Sequence, residues 1–213
     1  MTDLLGAVVP DHVSWVQTRQ DRGGDDLFPQ EEAAVANAVA KRRTEFAAVR
    51  WCARTALARL GVPPAPILPG ERGAPGWPDG IVGSMTHCAG YRAAAVARRG
   101  PVRTIGVDAE PAAALPDGVL DAIALPEEAA MVARLAAARP DVPWDRLLFS
   151  AKESVYKAWF PVTGTFLQFH EARLHIDGRT GEFTAQLLVD GAIDRFTGRW
   201  HCGGGLVLTA IVA

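Results

Sequence analysis

The chain has 213 residues, 49% of them hydrophobic and 22% charged, with a formal net charge of −2. This length allows one large domain or two small ones. Because the charge is nearly balanced, overall electrostatic attraction gives no reason to expect binding to nucleic acid or to a membrane surface. Three scattered cysteines form neither a disulfide framework nor a CxxC metal site. No stretch reaches the about 18 apolar residues of a membrane span, and the N-terminus lacks the features of a signal peptide. We therefore expect a cytoplasmic, reduced protein.

The first hundred residues predict short strands around one long helical stretch. Two strands are expected at 3–9 and 12–19, on either side of Pro10. Pro29 and two glutamates open a helical stretch that ends at Gly61, with a break near residues 37–41. A loop rich in proline and glycine follows. Strands are then predicted at 81–88, 91–98 and 102–109.

The remaining residues predict two helices followed by four strands. One helix begins at Pro126 and runs to about Ala138, and Trp144 leads into the next. Asp-Gly and Gly-rich turns separate strands at 172–176, 182–189, 195–201 and 206–212. This order indicates an α+β protein with two halves of similar size, 1–104 and 105–213.

The stretch FSAKESVYKAW, at 149–159, contains a candidate helix start and three charged side chains. Ser150 lies three residues before Glu153, the spacing of a capping box. Glu153 and Lys157 are four apart and share one face of a helix. Alone, this pattern is equally typical of an ordinary helix with a solvated ion pair worth about 0.2–0.5 kcal/mol.

The stretch TIGVDAEP, at 104–111, places Asp108 and Glu110 on one face of a strand. Two such carboxylates repel each other unless a cation or a proton lies between them. Because all the ligands are oxygens, they favour Mg²⁺ or Mn²⁺ over zinc. Glu153 could supply a third carboxylate across the boundary between the halves. The alternative is that Asp108 and Glu110 lie at a solvated strand end.

Arginines recur along the long helix, and another lies on the glycine-rich loop. Arg43 and Arg50 are two turns apart and lie near one face. Arg50 and Arg54 are four residues apart, and like charges at this spacing are mildly destabilising without an anion. Arginines suit bidentate contacts with phosphate. The alternative is a solvated face balanced by Glu45. The arginines concerned are Arg42, Arg43, Arg50 and Arg54 on the helix and Arg72 on the loop.

Thr86 and His87 lie on a short strand before a glycine turn. His87 is either a structural histidine or a donor to a phosphate oxygen, since Mg²⁺ prefers oxygen ligands. Taken together, the carboxylates, lysines, histidine and arginines fit a polyphosphate substrate with an extra phosphate away from the reacting pyrophosphate.

Five motifs in this order resemble the 4'-phosphopantetheinyl transferases, and most of all the Sfp-type, enterobactin-synthetase branch found in actinobacteria. They are RxxEF with Arg50 at 42–50, GERG with WP at 70–78, GSMTHC at 83–88, GVDAE at 106–110 and FSAKESVYKA at 149–158. The resemblance implies a pseudo-dimeric fold, in which each half has a small antiparallel sheet packed on helices. It also implies a monomer, with coenzyme A bound in the cleft between the halves.

The resemblance also implies the chemistry. Asp108, Glu110 and Glu153 match the Mg²⁺ ligands, and Mn²⁺ is an alternative ion. Glu153, directly or through a water, would be the base for a serine of a carrier protein, and Lys157 would stabilise or protonate the departing 3',5'-ADP. His87 is counted with these two as catalytic.

The same resemblance assigns the coenzyme A contacts. Lys152 and His87 would hold pyrophosphate oxygens, with Lys157 and Thr86 beside them. Arg42 and Arg50 would bind the 3'-phosphate. Arg72 lies in the loop at the adenine end, where Pro69 stands in place of a lysine that some relatives carry.

The implied reaction transfers 4'-phosphopantetheine from coenzyme A to a serine of an apo acyl or peptidyl carrier protein, in fatty-acid, polyketide, non-ribosomal peptide or siderophore synthesis. Two alternatives use the same residues: a Mg²⁺-dependent phosphohydrolase of nucleotide pyrophosphates, and a non-catalytic module that binds coenzyme A. Neither nucleic acid nor membrane is an expected partner.

Overall fold

A computed structural model describes residues 3–22, 26–191 and 193–213. It contains two antiparallel sheets. The smaller has the order β1-β3-β2, and the larger has the order β4-β8-β7-β6-β5. The strands are β1 (Ser14–Thr18), β2 (Ile81–Cys88), β3 (Tyr91–Arg98), β4 (Ile105–Pro111), β5 (Ala172–Asp177), β6 (Glu182–Leu187), β7 (Arg195–Gly203) and β8 (Leu206–Val212).

Helices cover one face of each sheet. The α-helices are α1 (Pro29–Ala34), α2 (Ala40–Arg59), α3 (Val119–Ile123), α4 (Pro126–Ala138) and α5 (Trp144–Thr163). Helix α2 packs Cys52, Ala56 and Leu57 against the smaller sheet, and α5 packs Leu147, Val155 and Trp159 against the larger one. The predicted α+β architecture of antiparallel sheets packed on helices is confirmed.

Two local predictions are wrong. Residues 3–9 do not form a strand, because Leu5–Ala7 is a 3₁₀ turn in which the Asp3 carboxylate accepts a hydrogen bond from the Gly6 amide. Ser150 does not cap a helix, since α5 begins at Trp144, one residue after its N-cap Pro143. Ser150 is instead fully buried within α5, and its hydroxyl bonds that of Thr209 at 2.9 Å.

Strand β4 joins the two halves. Its odd-numbered residues Ile105, Val107 and Ala109 are buried in a cluster with side chains of β2 and β3. Its other face lies against α5 so closely that a Cβ at Gly106 would run into the Ser154 carbonyl oxygen. Asp108 and Glu110 share this face, as the alternation along the strand predicts.

Two hydroxyl groups of β2 satisfy the free edge of β4. Ser84 Oγ accepts a hydrogen bond from the Val107 amide, and Thr86 Oγ1 accepts one from the Ala109 amide, each at 3.0 Å. Side chains thus take the place of the backbone carbonyls of a neighbouring strand, and the two sheets meet without forming one continuous ladder.

Within the ranges described above, no helix combines the length and the apolar character needed to cross a bilayer.

Candidate active site

A cavity of about 460 Å³ lies between the two halves. Helix α2, the loop after it and strand β2 supply one wall, and α5 supplies the other. The side chains that matter for chemistry are Arg42, Glu45, Arg50, Arg72 and His87 on the first wall and Glu153, Tyr156 and Lys157 on the second. The cavity therefore brings together most of the residues that the sequence motifs predict.

Asp108 lies next to the cavity-lining residue Lys157 and is only 4% exposed. Its Oδ1 accepts hydrogen bonds from Lys157 Nζ at 2.7 Å and from Thr86 Oγ1 at 3.3 Å. Its Oδ2 is buried and has no hydrogen-bond partner among the described residues. A buried carboxylate oxygen without a partner is costly, so this atom is an open ligand position.

Glu153 is half-buried on α5 and borders the cavity. Burial raises the pKa of this carboxyl group, and the charge of Asp108 raises it further, while Lys157 opposes the shift. Glu153 thus lies at the cavity wall, one helical turn before Lys157 on the same helix. A carboxyl group with a raised pKa suits proton transfer near neutral pH.

Glu110 is turned towards a different partner. Its Oε2 forms an ion pair with Arg146 Nη1 at 3.0 Å. Burial and the neighbouring Asp108 raise its pKa, and Arg146 opposes them. Among the described residues, no group of three His, Cys, Asp or Glu side chains is close enough together to hold a metal ion.

The donor set nevertheless suits a hard cation. Asp108 offers an orphaned, buried oxygen, and the neighbouring groups Glu110 and Glu153 are also carboxylates. Burial raises the pKa of both glutamates, and the negative charge of Asp108 raises each of them further. A divalent cation relieves this kind of repulsion between carboxylates. Mg²⁺ prefers oxygen ligands of this kind.

His87 lies across the cavity from α5 and contacts two charged groups. Its Nε2 is 2.9 Å from Arg42 Nη1 and 3.6 Å from Glu45 Oε2. Burial and the Arg42 charge lower the pKa of the imidazole. His87 is therefore neutral at pH 7, and since Arg42 can only donate, Nε2 is assigned as the acceptor.

Arg50 and Arg72 line the same cavity from the helix and the loop. Arg50 is buried, donates from Nε to the Ile67 carbonyl at 3.1 Å, and lies over the Phe46 ring at 3.2 Å. Burial lowers the pKa of this guanidinium to about 10. Arg72 has a left-handed φ of 52°, and its guanidinium lies 4.8 Å from the ring centre of Phe166 in the other half.

Comparisons with known proteins identify the family of the chain. The profile of the 4'-phosphopantetheinyl transferase N-terminal domain matches residues 30–97, and that of the 4'-phosphopantetheinyl transferase superfamily matches residues 104–209. The chain belongs to the 4'-phosphopantetheinyl transferases.

Relatives of this transferase cover almost its whole length. It is 62% identical to the 4'-phosphopantetheinyl transferase Svp of Streptomyces mobaraensis, over 98% of this chain and 88% of Svp. It is 49% identical to the 4'-phosphopantetheinyl transferase PptT of Mycobacterium tuberculosis, over 100% and 97% of the two chains. A more distant relative, enterobactin synthase component D of Salmonella typhi, is 36% identical over 56% of this chain and 49% of its own.

Two residues predicted to contact coenzyme A are bound to other protein groups in this structure. Lys152 donates to the Phe169 carbonyl at 2.6 Å, the Ala172 carbonyl at 2.8 Å and the Glu128 carboxylate at 2.9 Å, so all three ammonium protons are engaged. The Thr86 hydroxyl accepts from Ala109 and donates its one proton to Asp108. Both side chains therefore stabilise the fold of the transferase through these bonds, and their contacts with coenzyme A stay predictions.

Replacement of Lys152 by methionine is expected to destabilise the transferase by about 3 kcal/mol, because the buried charge of Glu128 loses its partner. The Michaelis constant for coenzyme A should change by less than about twofold, since no bound phosphate loses a contact. Urea unfolding and steady-state kinetics measure the two effects.

The control for this change is Arg173→Met, which breaks the exposed pair with Glu127 and should cost less than about 1 kcal/mol. If Lys152→Met left the stability unchanged and greatly raised the Michaelis constant for coenzyme A, Lys152 would be a phosphate ligand after all.

Sequence reasoning missed Arg146, Glu128 and Phe166. Glu128 carried a weak signal, since it stands two residues after the Pro126 that opens α4 and takes the N3 position. Arg146 and Phe166 carried none, because their partners lie far away in the sequence.

Proposed function

We propose that this transferase moves the 4'-phosphopantetheine group of coenzyme A to a serine of an apo carrier-protein domain and releases 3',5'-ADP. The cavity between the halves supports this proposal, because Glu153 and Lys157 line one side of it and the cations Arg42 and Arg50 line the other. Asp108 lies behind Lys157, which donates a hydrogen bond to it. Such a site suits a pyrophosphate with a further phosphate at a distance. The cytoplasmic location and the monomeric state stay predictions.

Coenzyme A would bind with its 3'-phosphate between Arg42 and Arg50, whose planar guanidinium groups suit phosphate oxygens. The neutral His87 presents an N–H at Nδ1, and Arg72 borders the cavity on the same side. A second cavity of about 450 Å³ shares Glu153 and Tyr156 with the first and is lined by residues 166–170. We assign the pantetheine arm to this second cavity.

Asp108 and Glu153 would hold Mg²⁺ from the protein side, with Glu110 as the predicted third ligand. The bound ion would polarise the pyrophosphate as a Lewis acid. Carboxylate oxygens together with substrate phosphate oxygens are the kind of ligand that Mg²⁺ prefers.

Glu153 would accept the proton of the carrier serine, directly or through a water molecule. Its raised pKa makes it a stronger base than an exposed glutamate. Lys157 lies one helical turn further along α5, with Nζ at 2.7 Å from Asp108. From there its ammonium group would stabilise the negative charge on the departing 3',5'-ADP.

The test combines the transferase, an apo carrier protein, coenzyme A and Mg²⁺. The carrier should gain the mass of one phosphopantetheine group, and addition of EDTA should stop the reaction. Release of 3',5'-ADP from coenzyme A without any carrier would instead support the phosphohydrolase, and tight coenzyme A binding with no turnover on a panel of carriers would support the binding module.

A further inference from the structure

Two buried glutamates occupy the same place in the two halves of the transferase. Glu31 is the third residue of α1 and Glu128 is the third residue of α4, and each helix opens with a proline. Each carboxylate accepts a hydrogen bond from the amide of its helix N-cap, Phe28 at 3.0 Å and Leu125 at 2.7 Å. Both side chains are fully buried. The chain thus uses one local device twice, and the surroundings of each copy decide what it does.

Glu31 connects three segments of the first half. Its Oε1 accepts a hydrogen bond from the Ile67 amide at 2.8 Å, and its two oxygens lie 3.0 and 2.9 Å from Arg54 Nη1. Arg54 also donates from Nη2 to the Asp26 carbonyl at 2.8 Å. Arg54, one of the arginines that the sequence offers for an anion, is therefore used in the protein interior and is not among the residues that line the cavity.

The Ile67 peptide carries this constraint to Arg50. Its amide is bound by Glu31, and its carbonyl accepts the hydrogen bond from Arg50 Nε at 3.1 Å. Ile67 is fully buried, so these groups have no water to bind in place of each other. Arg50 makes no other hydrogen bond to a described residue, and it lines the cavity. Its two Nη groups are thus left for a ligand.

We infer that Glu31 is a positioning residue for the 3'-phosphate of coenzyme A: it fixes the Ile67 peptide, and that peptide fixes the guanidinium of Arg50. This inference rests on the proposed function, in which Arg50 binds the 3'-phosphate. Glu31 itself does not line the cavity. Its effect should therefore be confined to ligands that carry the 3'-phosphate.

The experiment compares coenzyme A with 3'-dephospho-coenzyme A, which differ in that phosphate alone. Isothermal titration calorimetry with the full chain and Mg²⁺ gives a dissociation constant for each. The ratio of the second constant to the first measures what the 3'-phosphate contributes to binding.

The main variant is Glu31→Asp, which keeps the negative charge but is one methylene shorter. Aspartate cannot reach the N-cap amide, the Ile67 amide and Arg54 together, so the Ile67 peptide and Arg50 lose their fixed position. We expect the ratio to fall about tenfold, because a charged hydrogen bond to the phosphate is weakened.

The matched control is Glu128→Asp. Glu128 binds its N-cap amide, the Leu174 amide at 2.7 Å and Lys152 in the same manner, but none of these groups is assigned to the 3'-phosphate. The ratio should change by less than about twofold, since the pyrophosphate and the pantetheine arm are common to both ligands. A purely structural role of Glu31 would likewise weaken both ligands together and leave the ratio unchanged.

Arg50→Met should remove most of the contribution of the 3'-phosphate. Glu31→Asp added to Arg50→Met should lower the ratio no further, because the two residues act in series. If Glu31→Asp does not fold, Glu31→Leu with Arg54→Met breaks the same bond to Ile67 and removes one charge of each sign, and the same fall in the ratio is expected.

An unchanged ratio in Glu31→Asp would overturn the inference, and so would a further fall when the change is added to Arg50→Met. An unchanged ratio in Arg50→Met would overturn the proposed 3'-phosphate site itself. A carrier protein that gains no mass in the transfer assay would overturn the proposed function, and that result is independent of these binding constants.

Discussion

Replacement of Glu153 by glutamine is expected to lower the rate of phosphopantetheine transfer by about a thousandfold, within the range measured for loss of a general base. Glutamine keeps the shape of the side chain but accepts no proton and is a poor ligand for Mg²⁺. Transfer should be followed by mass spectrometry of the carrier under single-turnover conditions.

The same variant is expected to be more stable than the unmodified chain at neutral pH. Because the pKa of Glu153 is raised in the folded state, the folded protein binds this proton more readily than the unfolded chain. The resulting stabilisation is complete below the unfolded pKa of about 4.3 and is lost as the pH rises through the folded value.

At neutral pH the folded protein must bury an ionised Glu153, and glutamine removes that cost. We therefore expect the free energy of unfolding to rise by about 1 kcal/mol at pH 7.5 without metal and to be unchanged at pH 4. Thermal unfolding in EDTA at both values checks the sign. The control is Glu127→Gln, at an exposed glutamate, which should change neither quantity. Transfer by Glu153→Gln within tenfold of the unmodified chain would contradict the role of Glu153 as base.

Replacement of Gly106 by alanine is expected to cost about 3 kcal/mol or more of folding stability. The new Cβ would collide with the Ser154 carbonyl oxygen and lie 2.7 Å from the Ala158 backbone nitrogen. Backbone atoms inside a helix cannot turn aside as a side chain does, so β4 and α5 must separate. Transfer should fall as well, because Lys157 on α5 and Asp108 on β4, now 2.7 Å apart, would be separated with these two elements.

Urea unfolding measures the loss, and Gly178→Ala is its control. A Cβ at Gly178 would first meet the end of the Leu135 side chain at 2.9 Å, which has rotamers available, so the loss should be about 1 kcal/mol. Equal losses in the two variants would show that the approach of β4 to α5 is not under special constraint.

The parts of the fold that depend on neighbouring residues were predictable. Strands β2 and β3 and helix α4 begin and end where the sequence pattern places them, because their boundaries coincide with glycine turns and Pro126. The shared face of Asp108 and Glu110 also follows from the two-residue period of a strand. Element boundaries and the alternation of side chains along a strand depend on residues that are close in the sequence, so they can be predicted from it.

The parts that depend on tertiary packing were not predictable. Lys152 stands next to Glu153 in the sequence, yet each residue of a helix is rotated by about 100° from the one before. It therefore points to Glu128, while Glu153 points into the cavity. The partner of Glu110 was equally hidden, since Arg146 lies on a different element and no spacing rule connects them.

The hydroxyl contacts between β2 and β4 also bear on the order in which the chain is made. When a ribosome has released the first hundred residues, Ser84 and Thr86 have no amides of β4 to bind, and Ala93 and Ala95 of β3 lack the apolar face of β4 that buries them. The smaller sheet is thus left with an open edge and an uncovered surface until residues 105–109 emerge. An exposed strand edge of this kind can pair with other chains. The first half is therefore open to aggregation during synthesis until β4 of the second half covers it.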